Sequence, residues 1–182
     1  MSYKRWTFIA IFLFGIGLVF GLVTPAGIAS LLSEDIVALE KFSSILVPFK
    51  FLTVILIFFK NALALVLSFV LSPILCLAPI LALTVNGCLI ALVSVVVVQE
   101  ESLGFLLAGL LPHGIFELPA LILGQAAALS FGTMAMLDLF QMVKRVLILP
   151  ALKQNLRYLM LAVALLLPAA IIETYITPLL LT

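Results

Sequence analysis

From Trp6 to Val23 the chain carries no charged side chain, and further apolar stretches follow near residues 60–77, 79–98, 103–136 and 158–181. A helix of about 20 apolar residues crosses the ~30 Å hydrocarbon core of a bilayer. A chain that repeats such runs, with only short polar interruptions, has one way to bury them all. The charged residues, 9% of the total against about a quarter in soluble domains, agree with that reading, as does a mean hydropathy of +1.45. The expected fold is all-α: a polytopic transmembrane helical bundle of about five spans, with residues 1–182 forming a single integral membrane domain.

The same numbers exclude several function classes. A net charge of +1, from nine scattered cations, gives no basic field for nucleic acid. Cys76 and Cys88 lie in apolar runs without CxxC spacing and read as small buried hydrophobes. One histidine and few acids make a poor ligand set, so neither metal nor cofactor is expected. HExxH and GxSxG are absent, which makes an enzyme the weakest of the readings.

In chain order, Lys4 and Arg5 precede an apolar run longer than the roughly 7 to 15 residues of a signal core, so the first segment is expected to be a span with its N-terminus in the cytoplasm. Gly17 and Gly21 form a GxxxG element, either a close helix contact or simply tolerated glycines. Residues 30–41, with Glu34, Asp35, Glu40 and Lys41, read as an extracytoplasmic polar loop. From Ile45 to Leu71 only Lys50, Lys60 and Asn61 interrupt the apolar sequence. A lysine at the bilayer centre costs about 2.5 to 3.5 kcal/mol, so the second span is expected to start near Lys60, with its ammonium snorkelling to the interface. Counting 45–60 as a span of its own gives six hydrophobic segments instead of five. Ser72-Pro73 and Ala78-Pro79 suggest a tight reversal, and the helix from Ile80 to Val98 carries Asn86-Gly87 near its centre. Asn86 there is expected either to share a hydrogen bond with another helix or to contact a ligand. Residues 99–102 form the next polar loop.

The stretch Leu111-Pro112-His113-Gly114-Ile115-Phe116-Glu117-Leu118-Pro119-Ala120 is the most informative in the chain. Residues 103–111 are too short to span and too apolar to leave the membrane, and Pro112 suits the first turn of a new helix. A broken helix near Pro112 is therefore expected, with a full helix from about His113 to Met136, and its freed backbone groups require an interior position. His113 and Glu117 stand at i and i+4, and Ala120, Gly124, Ala128 and Gly132 continue on that face. Gly114 and Pro119 flank the pair. A carboxylate in a membrane needs a partner or a proton, so the pair is either a packing bond across the bundle or a proton, ion or ligand site.

After Asp138, the cations Lys144, Arg145, Lys153 and Arg157 mark a cytoplasmic segment that includes Pro150. The last helix is expected from about Tyr158 to Leu181, with Pro168 and Pro178 inside it. Tyr175 suits the outer aromatic belt, and Glu173 makes an interfacial hydrogen bond or faces an ion path. Five crossings then leave the C-terminus outside the cell.

The residues from Pro112 to Ala120 resemble the signature of the stage II sporulation protein M family of multi-spanning membrane proteins. Ile57-Phe58-Phe59-Lys60-Asn61 is similar to that family's element before the second span, Asn86-Gly87 to its mid-helix pair, and the segment from Glu173 to Pro178 to the ending of its sporulation members. The resemblance implies a membrane anchor that localises peptidoglycan-degrading partners. The extracytoplasmic segment between the first helix and Lys60 is shorter than in the sporulation members. Two functions follow as expectations. The first is a non-enzymatic scaffold in the cell membrane, homo-oligomeric and bound to cell-envelope or membrane proteins. The second is a transporter or channel subunit whose path is lined by His113, Glu117, Asn86 and Lys60.

Overall fold

The computed structural model describes residues 3–24, 50–140 and 148–181, and every regular element among them is helical. In chain order the helices are α1 (Tyr3–Val23), α2 (Phe51–Leu71), α3 (Leu77–Glu100), α4 (Leu103–Leu139), α5 (Ile148–Tyr175) and the short α6 (Thr177–Leu180). Among the described residues five helices are long and apolar enough to cross a membrane. The polar stretch 30–41, Ile45, Lys144 and Arg145 lie outside the described residues.

Side-chain register gives the helix directions. Along α2 and α4, Asn61 meets Glu117, Ser68 meets Gln125 and Ser72 backs onto Gly132, so these two helices run parallel. Along α4 and α5 the order reverses: Gly124 lies beside Ala162, while His113 reaches Thr177 just beyond the end of α5. These helices are antiparallel. Gly17 sits against Thr84 and Gly21 against Cys88, so α1 and α3 are parallel. The α2–α3 reversal is built from residues 72–76, where Leu75 and Cys76 both take left-handed backbone at φ 53°. Side chains pay for that conformation at about 1 to 2 kcal/mol each. The Cys76 N–H donates to the Ser72 carbonyl, closing the turn.

Small residues let the helices approach. A Cβ at Gly17 or Gly87 would collide with the facing backbone, at the Thr84 and Phe14 carbonyls respectively. On α4, Ala120, Gly124, Ala128 and Gly132 are all buried; Ala120 and Ala128 join Leu65, Phe69, Leu159, Ala162 and Leu166 in one apolar cluster. Trp6, Ala10, Leu83, Ala126 and Leu129 form a second cluster between α1, α3 and α4. Lipid is as apolar as these side chains, so close packing and shared polar bonds hold the helices rather than exclusion of water.

Three sequence expectations are corrected. No break occurs at Pro112: α4 is one helix of 37 residues with Pro112 and Pro119 inside it. Each proline removes a single N–H donor, and a helix held by neighbours on several sides tolerates that loss. At 1.5 Å per residue α4 is about 55 Å long, well beyond the ~30 Å hydrocarbon core. The second span does not begin at Lys60 but at Phe51, so Lys60 lies near the middle of α2 and residues 51–60 belong to that span rather than to one of their own. Lys60 is exposed on the flank of the bundle, with an acidic residue of α5 nearby to offset the cost of a lone ammonium. The last long helix begins at Ile148 and ends at Tyr175, which moves Pro150, Lys153 and Arg157 from a connecting segment onto the first turns of α5.

Candidate functional site

A polar contact zone inside the apolar bundle lies where α2, α4 and the α5–α6 junction meet. Apart from Lys60, the neighbours of Asn61 in α2 are apolar, so its carboxamide gains most by turning to another helix. It donates from Nδ2 to Glu117 Oε1 at 3.0 Å. The second carboxylate oxygen, Oε2, is 3.8 Å from His113 Nε2, one turn back on α4. That separation is too long for a hydrogen bond and is an ion-pair contact when the imidazole is protonated. His113 Nδ1 in turn lies 3.4 Å from Thr177 Oγ1 on α6, and the Thr177 hydroxyl reaches the Ile172 carbonyl at 3.4 Å. One line of polar groups therefore joins α2 to α4 to the end of α5.

Two charges stand beside this line. Glu173 on α5 is half-buried and within electrostatic reach of both Glu117 and Lys60. The zone thus contains two carboxylates, one ammonium, one imidazole, a carboxamide and a hydroxyl. The His113 side chain is 14% exposed and that of Glu117 is 35% exposed, so the carboxylate keeps one side open. Such an arrangement can hold a shared proton or fix three helices by polar bonds. Among the described residues no three of His, Cys, Asp and Glu converge as metal ligands.

The structure brings together five of the polar residues singled out from sequence: Lys60, Asn61, His113, Glu117 and Glu173. It leaves Asn86 out. That side chain is exposed on α3 and donates to the Ala82 carbonyl of its own helix at 2.7 Å, and the expected bond to another helix is not made among the described residues. Of the packing residues, Gly17, Gly21, Gly124 and Gly132 sit at close helix contacts, and Ala128 is fully buried. Gly114 is buried but loosely packed, with only Leu110 at 4.0 Å from where a Cβ would stand; Pro119 is exposed and Pro112 half-buried.

A model of the stage II sporulation protein M family matches residues 10–178, nearly the whole chain. The chain belongs to that family. The match runs from α1 through Pro178 and so includes every residue of the polar zone in this member of the sporulation protein M family. No curated protein and no solved structure matches the chain.

Sequence reasoning missed three polar partners. Ser68 Oγ donates to Gln125 Oε1 at 2.6 Å in the middle of the α2–α4 contact, where Gln125 is 1% exposed. Thr177 completes the line from His113. Tyr3 stacks on Tyr158 with ring centroids 3.4 Å apart, and its hydroxyl donates to the Leu123 carbonyl at 2.7 Å. For Ser68 and Gln125 the available signal was a lone polar residue within an apolar run, which in a membrane needs a partner.

Proposed function

We propose that this protein is a non-enzymatic membrane scaffold that holds cell-envelope partners, in the manner of the peptidoglycan-remodelling assembly associated with the sporulation members of its family. The observation that supports this is the row of neighbouring polar groups Asn61, Glu117, His113 and Thr177, with a hydrogen bond at the Asn61–Glu117 end and a 3.8 Å Glu117–His113 contact within it. These polar groups face one another across three helices, which favours a rigid frame over a moving path. The scaffold sits in the cell membrane with its N-terminus in the cytoplasm and its C-terminus outside. Support for that orientation comes from the Tyr3–Tyr158 stack, which gathers Lys4, Arg5, Lys153 and Arg157 at one end of the bundle. It self-associates through the α3 face carrying Asn86, whose exposed carboxamide is suited to a polar contact between copies.

The test is crosslinking in the native membrane, followed by pull-down and mass spectrometry. Near-stoichiometric recovery of cell-envelope proteins supports the scaffold; recovery of the chain with none of them overturns it.

A second reading, a transporter or channel subunit, rests on the 35% exposure of the Glu117 side chain beside Glu173 and Lys60. It requires water to reach Glu117. A cysteine placed at position 117 and probed with a water-soluble thiol reagent separates the two, since a scaffold leaves that position unlabelled.

A further inference from the structure

The end of the bundle opposite in character to the polar line carries a surface that the scaffold reading does not use. Lys153 and Arg157 stand one turn apart on α5, both exposed, and together with Pro150, Gln154, Tyr158 and Leu161 they line an open groove of ≈ 640 Å³. Among the described residues no acidic side chain lines it. Its position is fixed, because the Tyr158 ring is stacked on Tyr3 at an interplanar angle of 9° and Tyr3 is anchored to the Leu123 carbonyl. The stack also keeps the exposed Lys4 and Arg5 of α1 at this end.

The lining changes character along α5. At Lys153 and Arg157 it offers a compact ammonium and a planar guanidinium, the pair of donors best suited to phosphate. One turn further into the same candidate span, Leu149–Tyr175, Leu161 is exposed beside Met160 and the neighbouring positions are apolar. A free phosphate ion would use only the cationic part. A molecule with an anionic head and an apolar tail uses all of it.

We propose that this groove binds a phosphate-bearing anionic amphiphile, the headgroup of an acidic phospholipid. Arg157 and Lys153 hold the phosphate, Gln154 and Tyr158 offer polar contacts to the ester and glycerol oxygens, and Leu161 lies against the first acyl carbons. Basic pockets on helices at the membrane boundary take acidic lipids in this way.

The full chain in nanodiscs of phosphatidylcholine with graded phosphatidylglycerol, read by native mass spectrometry, tests this. One acidic lipid per chain is expected to survive release. Lys153→Gln with Arg157→Gln is expected to lower its retention by about fivefold per cation removed. Gln154→Ala, which changes no charge, is expected to lower it severalfold, and millimolar inorganic phosphate is expected to leave the lipid in place. Lys4→Gln with Arg5→Gln should have the smaller effect of the two double variants. Equal losses from both double variants, with none from Gln154→Ala, would mean diffuse attraction to an acidic surface and would overturn the site. Displacement by phosphate alone would overturn the lipid. Should the Lys153/Arg157 variant fail to fold, as judged by melting in phosphatidylcholine alone, Gln154→Ala decides.

Discussion

Asn61 on α2 donates to Glu117 on α4 across 3.0 Å, and the same carboxylate faces His113 at 3.8 Å. One side chain thus serves two partners on two helices, and its removal takes the acceptor from Asn61 and leaves His113 with Thr177.

Glu117→Leu is therefore expected to destabilise the bundle by about 1 to 3 kcal/mol, the cost of leaving polar groups unpaired. Glu117→Gln keeps an acceptor for Asn61 and should cost less. Thermal melting in detergent, with oligomeric state read alongside, checks both. An unchanged melting temperature for the leucine variant would remove the structural role of this residue.

Gln125 and Ser68 provide an internal comparison, since their 2.6 Å bond is buried and contains no charge. A double-mutant cycle with Ser68→Ala and Gln125→Leu is expected to give a coupling near the ~0.6 kcal/mol average for hydrogen bonds between membrane helices. The Asn61–Glu117 cycle should exceed it, because the acceptor is a carboxylate.

Gly17 and Gly15 differ only in what faces them. A Cβ at Gly17 would enter the Thr84 backbone, whereas nothing lies within 4 Å of one at Gly15. Gly17→Ala is expected to separate α1 from α3 at a cost of about 1 to 3 kcal/mol, as overpacking does elsewhere. Gly15→Ala should be neutral or slightly stabilising. Disulfide crosslinking between α1 and α3, together with melting, distinguishes the two.

Pro112 interrupts the backbone bonding of a helix that continues through it. Pro112→Ala gives the helix back one N–H donor, so stability is expected to hold or to rise by up to about 1 kcal/mol, measured by unfolding in mixed micelles. A large loss would show that the proline sets a bend on which packing depends.

Asn86→Leu removes a carboxamide that, among the described residues, is bonded to its own helix at Ala82. Protomer stability is expected to stay within about 0.5 kcal/mol. Self-association, read by crosslinking across a detergent dilution series, is expected to weaken.

Much of this was legible in the chain itself. Hydropathy alone marked five spans, because a bilayer's thickness sets the length of the apolar runs and little else competes with it. The His113–Glu117 pair and the small residues from Ala120 to Gly132 were legible for the same local reason: helical spacing places i and i+4 on one face whatever surrounds it. Boundaries were less so. Lys60 and Pro112 read as interruptions by their local costs, yet α2 and α4 run through both, since neighbouring helices supply what the isolated segment lacks.

What the sequence by itself determined is the class of molecule, the five spans seen among the described residues and the inventory of polar groups that need partners in a membrane. Only the tertiary structure decided which partners they have: Asn61 with Glu117, His113 with Thr177, Ser68 with Gln125, and Asn86 with the Ala82 carbonyl of its own helix. The reason is physical. Lipid and neighbouring helices are equally apolar, so a helix such as α1 or α3 shows no hydrophobic face to say which side turns inward. Facing is settled by close packing at Gly17, Gly87 and Gly132 and by polar bonds between residues far apart in the chain, and neither exists until the helices meet.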